Sequence, residues 1–329
     1  MPDCSIRPVV QACLACLLAN VLVQPGTAQP TYSEAEWPLP ATTAAGTPAP
    51  WHFGEVVAVA TTSEGNILVL HRGASPVMEF DVAGNIIRSR GDGSISEGKV
   101  TAVAPGDRAP GQSGYTVVYG PAGCYSCGAH SIRVDPEGSV WIVDAAAHTV
   151  SKTDSDGRVL LQLGKQGESG TDESHFNLPT DVAFGPDGSI YVSDGYASAR
   201  VVKFSSRGEF VLEWGRRGTG PGEFGLPHNI VTDSDGRVYV TDRDNERIQV
   251  FDADGKFLDQ WKETGGVSTL YMTGDQKIWT GGVLRNLDGT IATRLPGNPG
   301  GHGTTVAPDG TVFIAQLDGF VQRFVPAEP

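Results

Sequence analysis

The sequence predicts an all-β chain folded as a six-bladed β-propeller, and three observations carry that prediction. The first is one unit, LPHNIVTDSDGRVYVTDRDNERIQVF from Leu226 to Phe251: an apolar run, a Ser-Asp-Gly turn, the alternating run RVYVTD, a polar corner and a third strand RIQVF. Two short alternating runs joined through Asp-Gly are a strong local signal for a hairpin. The second is recurrence. The same turn position falls at Gly65, Gly138, Gly188, Gly236, Gln276 and Gly310, with a strand ending in His or Asp after the first four (NILVLH, SVWIVD, SIYVSD, RVYVTD) and degenerate strands, KIWTG and TVFIAQ, after the last two. The third is composition: 43 Gly and 22 Pro with few apolar runs of helical spacing, which favours turns and strands. Six antiparallel units with no helices between them, none able to bury its faces alone, make one closed domain despite the length.

Taken in order, residues 1–28 read as an export signal. Arg7 precedes the apolar run from Val9 to Val23, Gln24-Pro25 breaks it, and Gly26-Thr27-Ala28 offers small residues before a cut after Ala28. The run is short for a membrane span, and neither Cys13 nor Cys16 has a good lipobox before it. The mature chain is therefore expected in a secreted or periplasmic setting. Cys4, Cys13 and Cys16 would leave with the signal, and Cys124 and Cys127 remain, spaced C-x-x-C. In an oxidising compartment such a pair reads as a local disulfide pinning a loop; no βαβ pattern supports a redox motif, and one C-x-x-C is a weak metal signal.

Residues 29–52 are rich in Pro, Ala and Thr and read as irregular, with a possible closing strand around Trp37-Pro38-Leu39. Residues 53–329 carry the six blades, interrupted by a Gly/Pro/Ser-rich insertion over 92–129 that should form a surface loop over one face. The formal charge of −14 with no Lys/Arg run argues against nucleic acid and against an anionic membrane surface, since both attract basic patches.

Counting eight residues back from each turn position reaches the start of the innermost strand: Val57, His130, Thr180, His228, Ser268 and His302. Three of the seven histidines share this register, in alternate blades. Innermost strands line a propeller's channel, so three imidazoles at one height converge on the axis, as in a three-histidine zinc site with an open fourth position. The alternative is a set of channel-lining histidines bonded to water. Counting forward, the second strand returns to the same rim, and seven or eight residues after the turn stand Arg72, Tyr196 and Arg243. Two guanidiniums favour a carboxylate substrate, and a phenol near a cation can be lowered in pKa enough to act as a base. Arg243 could equally be a solvated blade tip, and Tyr196 a cap on the channel. Asp144, Asp194 and Asp242 recur six residues after the turn and read as structural, while His52, His71, His148 and His175 lie outside the axial register.

The segments HFNLPTDVAFGPDGSIYVSDGYASARVVKFSSRGEFVLEWG, GPGEFGLPHNIV and VTDRDNERIQVF resemble NHL repeats and, more specifically, the peptidyl-α-hydroxyglycine α-amidating lyases with their simple bacterial relatives. The likeness runs from WPLP and LHRG to HGTTVAPDGTVFI, strongest between His175 and Phe251. It implies a zinc held by His130, His228 and His302, a substrate-facing Arg72, a base at Tyr196 and a further active-site arginine at Arg243. The implied reaction cleaves a carbinolamide N–C bond to an amide and glyoxylate. It also implies a structural calcium on the backbone carbonyls of Val59 and Ile132, but the family's Asp is replaced by Gly303 and its Met-Pro before the third histidine by Gly300-Gly301, leaving the calcium without its side-chain ligand. These residues include no monooxygenase stretch, so the hydroxyglycine would have to be supplied, and another N,O-acetal of glyoxylate fits as well. The expected partner is a small-molecule or peptide substrate with a terminal carboxylate, met by a monomer without nucleic acid or membrane insertion. The competing functions are a non-catalytic extracytoplasmic propeller binding a peptide or glycan and, last, a lactonase-type hydrolase, whose axial carboxylates and Asn the register does not supply.

Overall fold

In a computed structural model of the chain, residues 30–37, 53–73, 75–90, 95–96, 98–104, 115–119 and 128–327 are described. The export signal and the Cys124–Cys127 pair lie outside these residues. Six four-stranded antiparallel sheets and one two-stranded ribbon account for the strands. The first blade is β2 (Val56–Thr61), β3 (Ile67–His71), β4 (Val77–Phe80) and β5 (Ile86–Arg90); the ribbon β6 (Gly98–Ala102) with β7 (Tyr115–Tyr119) follows inside the insertion. The second blade is β8 (Ala129–Val134) to β11 (Val159–Leu163), the third β12 (Asp181–Phe184) to β15 (Phe210–Trp214), and the fourth β16 (Pro227–Thr232) to β19 (Phe257–Trp261). The fifth is β20 (Tyr271–Met272) to β23 (Ile291–Arg294). In the sixth, β24 (Gly303–Val306), β25 (Val312–Gln316) and β26 (Phe320–Pro326) take their outer strand from the N-terminal segment, β1 (Tyr32–Ala35).

That pairing, Tyr32 opposite Pro326 and Ala35 opposite Arg323, closes the ring with the two ends of the chain in one sheet. The closing strand sits just ahead of the expected Trp-Pro-Leu segment. Trp37 does a different job: it is buried edge-on against Phe80 of the first blade and Phe313 of the sixth, at 5.1 and 5.0 Å between centroids, and so wedges the seam that β1 zips shut.

The innermost strands pack in the cyclic order β2, β8, β12, β16, β20, β24 and back to β2. The second strands are largely apolar on both faces because each sheet is covered on both sides by a blade; Ile67, Leu68, Val69 and Leu70 of β3 are all fully buried. Burying each such side chain contributes roughly 1.5–3 kcal/mol. Outer strands keep one face in water, as in the alternating burial of Phe210–Trp214. Five of the six turns place their glycine at φ between +80° and +86°, and Gln276 takes the same place in the fifth blade at +58°, a left-handed conformation that favours Gly. The recurrent aspartates end the second strands by accepting backbone N–H groups: Asp144 from Ala147 at 2.9 Å, Asp194 from Asn177 at 2.8 Å and Asp242 from Gly225 at 2.7 Å. The first blade has His71 in that place.

Candidate metal centre

His130, His228 and His302 stand together at one end of the channel. Their ring centroids form a nearly equilateral triangle of 4.9, 4.8 and 4.9 Å, and one ring nitrogen of each lies within 4.8 Å of the others. The local backbone explains the convergence. In the second blade the pairing of β8 with β9 (Val140–Asp144) slips between Ala129 and Ser131, leaving His130 as the extra residue, and β16 slips against β17 (Val238–Asp242) across His228 and Asn229. A bulge of this kind re-aims a side chain. The first blade has the same slip at Val57, and there the consequence falls on the backbone.

Each imidazole is held from behind by the neighbouring blade at the same register. Nδ1–H of His130 donates to the carbonyl of Thr180 at 2.5 Å, that of His228 to Ser268 at 3.0 Å and that of His302 to Val57 at 2.8 Å. The three positions between the histidines in the register thus supply carbonyls rather than side chains. Donation through Nδ1 fixes the tautomer and leaves each Nε2 lone pair facing the channel, the second-sphere arrangement that orients metal-ligating histidines. Burial first, then the charges of neighbouring arginines and, for His130 and His228, of neighbouring imidazoles, push all three pKa values down, that of His302 to about 4. Neutral, convergent imidazoles, two buried and one partly buried, are a donor set that fits a divalent metal of borderline softness.

The other expected residues share this end. The hydroxyl of Tyr196 lies 2.9 Å from Nε2 of His130 and 3.3 Å from Nε2 of His228. Arg243 places its guanidinium carbon 5.9 Å from the Tyr196 ring centre. Arg72 donates through Nε and Nη2 to the carbonyl of Ala129, the residue before His130, at 3.3 and 3.2 Å, and pairs with Glu55. Burial raises the Tyr196 pKa more than Arg243 and Arg72 lower it, so two guanidiniums alone do not make this phenol acidic; a desolvated phenolate costs more than they return.

The calcium expectation fails the test of fit. Gly303 offers no side-chain oxygen in place of the family's Asp, and a Cβ there would stand 2.7 Å from Cα of Ala58, so the contact of the first and sixth blades leaves no room for a side chain. Val59 and Ile132 are strand residues buried at this closely packed level. Nearby the channel carries its own cation: the guanidinium of Arg133 reaches Asp181 through Nε at 3.0 Å and Nη2 at 2.5 Å, and Asn229 at 2.7 Å. Asp181 also accepts from Ser131 Oγ at 2.5 Å and the Ile230 N–H at 3.1 Å.

Of the off-register histidines, His148 accepts the Leu178 N–H through Nδ1 at 3.2 Å, and His175 is 2.7 Å from Asp172. His52 lies outside the described residues. Nothing in the repeat pattern singled out Tyr115, Lys99 and Glu55. Tyr115 accepts from Nη2 of Arg243 at 2.8 Å, and Lys99 reaches Glu55 at 2.8 Å. The two hairpin residues are ordinary members of short alternating strands in a stretch with no repeat to align.

A family profile described as a 6-bladed beta-propeller matches residues 171–262. The rat protein named peptidylglycine alpha-amidating monooxygenase is 36% identical over 214 residues, covering 62% of this chain and 21% of its own. The chain thus spans about a fifth of that relative's length. A probable peptidyl-alpha-hydroxyglycine alpha-amidating lyase of Caenorhabditis elegans is 25% identical over 290 residues, 81% of each chain. Among solved structures, a streptogramin B lyase superposes with a TM-score of 0.57 at 15% identity over 90% of this chain and 98% of that one, a likeness of fold. The chain is a six-bladed β-propeller that resembles the amidating lyases in sequence.

Proposed function

We propose that this chain is a zinc-dependent lyase cleaving the N–C bond of a peptidyl-α-hydroxyglycine-like carbinolamide to an amide and glyoxylate, in a secreted or periplasmic setting. The observation that carries the reading is the phenol of Tyr196 set beside Nε2 of two of three convergent imidazoles, with two guanidiniums at the same end. The likeness to proteins named amidating lyases supports it.

His130, His228 and His302 would hold the zinc. Bound there, it supplies Lewis acidity at the carbinol oxygen and positive charge beside Tyr196 that opposes the cost of burying a phenolate. Starting as the phenolate, Tyr196 Oη takes the carbinol proton. The oxygen's electron pair becomes the carbonyl of glyoxylate as the C–N bond breaks, and the pair left on nitrogen takes a proton back from the same hydroxyl, so atoms and charge balance. Arg72 and Arg243 hold the substrate carboxylate and the charge developing beside it. The buried site keeps water from competing for the proton.

The test is elemental analysis of the purified protein, wild type beside His228→Ala, followed by glyoxylate release from an N-acyl-α-hydroxyglycine. One zinc per chain, lost in the variant, with glyoxylate formed by wild type alone is the expected result. No metal retained in either after zinc is offered would overturn the reading and leave a non-catalytic propeller.

A further inference from the structure

Among the described residues, β6 and β7 are the strands that belong to no blade, yet this ribbon touches Arg243 directly and is linked to Arg72 through Glu55. It is fixed to the propeller at its base. Ser96 donates through its backbone N–H and its hydroxyl to the Asp144 carboxylate at 2.6 and 2.7 Å, its carbonyl accepts the Gly128 N–H at 2.9 Å, and Ile95 is buried in the core between the first two blades. From that anchor Val100 and Tyr115 pack on Leu178, Tyr196 and Leu226, with the Tyr115 ring 4.6 Å from the Tyr196 ring. The Tyr115 hydroxyl accepts from Arg243 at 2.8 Å. On the other side Lys99 and Arg72 share the Glu55 carboxylate.

Arg243 is held by Tyr196 itself and by two further groups, Tyr115 and Asp244, that pull in different directions. Tyr115 draws the guanidinium over the Tyr196 ring, whereas Asp244, 3.4 Å from Nε and nearly half exposed, draws it toward solvent. We infer that the inserted ribbon is the element that aims the carboxylate-binding arginines, with Tyr115 the positioning residue that holds Nη2 of Arg243 over the site while Nε faces Asp244. This rests on the lyase reading for the identity of the ligand: an N-acylated α-hydroxyglycine whose carboxylate meets Arg243.

The test uses the zinc-loaded full chain and hippurate, which has the acylamide and the carboxylate but no carbinol hydroxyl and so is not cleaved. Calorimetry on wild type, Tyr115→Phe and Asp244→Asn should show binding weakened about tenfold in Tyr115→Phe, the order expected for one hydrogen bond to a charged group, and largely restored in the double variant, which removes the competing carboxylate. KM for the hydroxyglycine should rise by the same factor with kcat within about twofold, and the melting temperature should not move. Hippurate affinity and KM unchanged in Tyr115→Phe would overturn the inference, as would absence of hippurate binding to wild type. A fall in melting temperature with no rescue by Asp244→Asn would also overturn it, reducing Tyr115 to a packing role. The lyase reading fails separately: hippurate binding that responds to Tyr115→Phe, with no glyoxylate released by wild type, would sink the reaction and keep the positioning.

Discussion

Two levels of the same channel solve the problem of buried polarity in opposite ways. At the histidine level, three imidazoles spend their Nδ1–H groups on carbonyls behind them and turn three lone pairs toward one another. At the level of Asp181, the carboxylate is enclosed by Arg133, Ser131 and the Ile230 N–H, and Asn229 accepts both from Arg133 and from the Leu270 N–H at 2.6 Å. The first level is a set of acceptors with only a phenol hydrogen to share, which suits a cation from outside. The second is neutralised by its own guanidinium. A buried polar group must find a partner, and whether the chain supplies it separates a receiving site from a structural rivet.

The comparison breaks most sharply at the first level. His228→Ala should abolish metal retention, read as zinc per chain after dialysis. Tyr196→Phe, which removes one oxygen and keeps the ring, should lower glyoxylate release by roughly 10²–10⁴-fold, the range for a positioned proton-transfer group, with zinc still bound. Retained turnover would remove Tyr196 from the chemistry.

At the second level Arg133→Ala strands a buried carboxylate and should cost about 3–5 kcal/mol, seen as a lower urea midpoint. Arg133→Met with Asp181→Asn should recover much of that loss, because neither partner is then a buried charge. If Arg133→Ala unfolds no more easily than wild type, the rivet description is wrong.

A smaller effect concerns His71, which stands where three other blades have Asp. Burial pushes its pKa down to about 4 from 6.5. The unfolded chain therefore binds this proton first as the pH falls. The stability that goes with the neutral imidazole is fully present above about pH 6.5 and is lost progressively as the pH falls toward 4, a contribution on the order of 3 kcal/mol. His71→Asn should flatten the dependence of the urea midpoint on pH over that window. The smallest effect sharpens the contrast with the family. Chelation of calcium should leave the melting temperature where it was, since Gly303 has neither a side-chain ligand nor room for one; a clear drop would show a calcium site elsewhere in the chain.

The fold was legible because each blade repeats its own local chemistry. Asp-Gly turns, period-two strands and one Asp at each of three strand ends are short-range signals, and the axial register brought His130, His228 and His302 to one height by arithmetic alone. The forward count likewise placed Arg72, Tyr196 and Arg243 on the same rim. Tyr115 was not legible because the insertion has no copy elsewhere to align it with, and its contact with Arg243 joins residues far apart in sequence. The burial of Tyr196 was not legible for a related reason: proximity of charge can be read from register, whereas the burial that raises its pKa depends on everything packed around the ring.

The sequence by itself determined the number of blades, the strand order within them and the convergence of three histidines, since each follows from repeated patterns of a few residues. Only the tertiary structure decided that bulges at His130 and Val57 turn one side chain inward and one carbonyl toward its neighbour, that the alternating register positions hold the imidazoles from behind, and that Arg133 serves as a resident cation. Those outcomes depend on which atoms of different blades come within hydrogen-bonding distance, and that distance is set by closure of the ring.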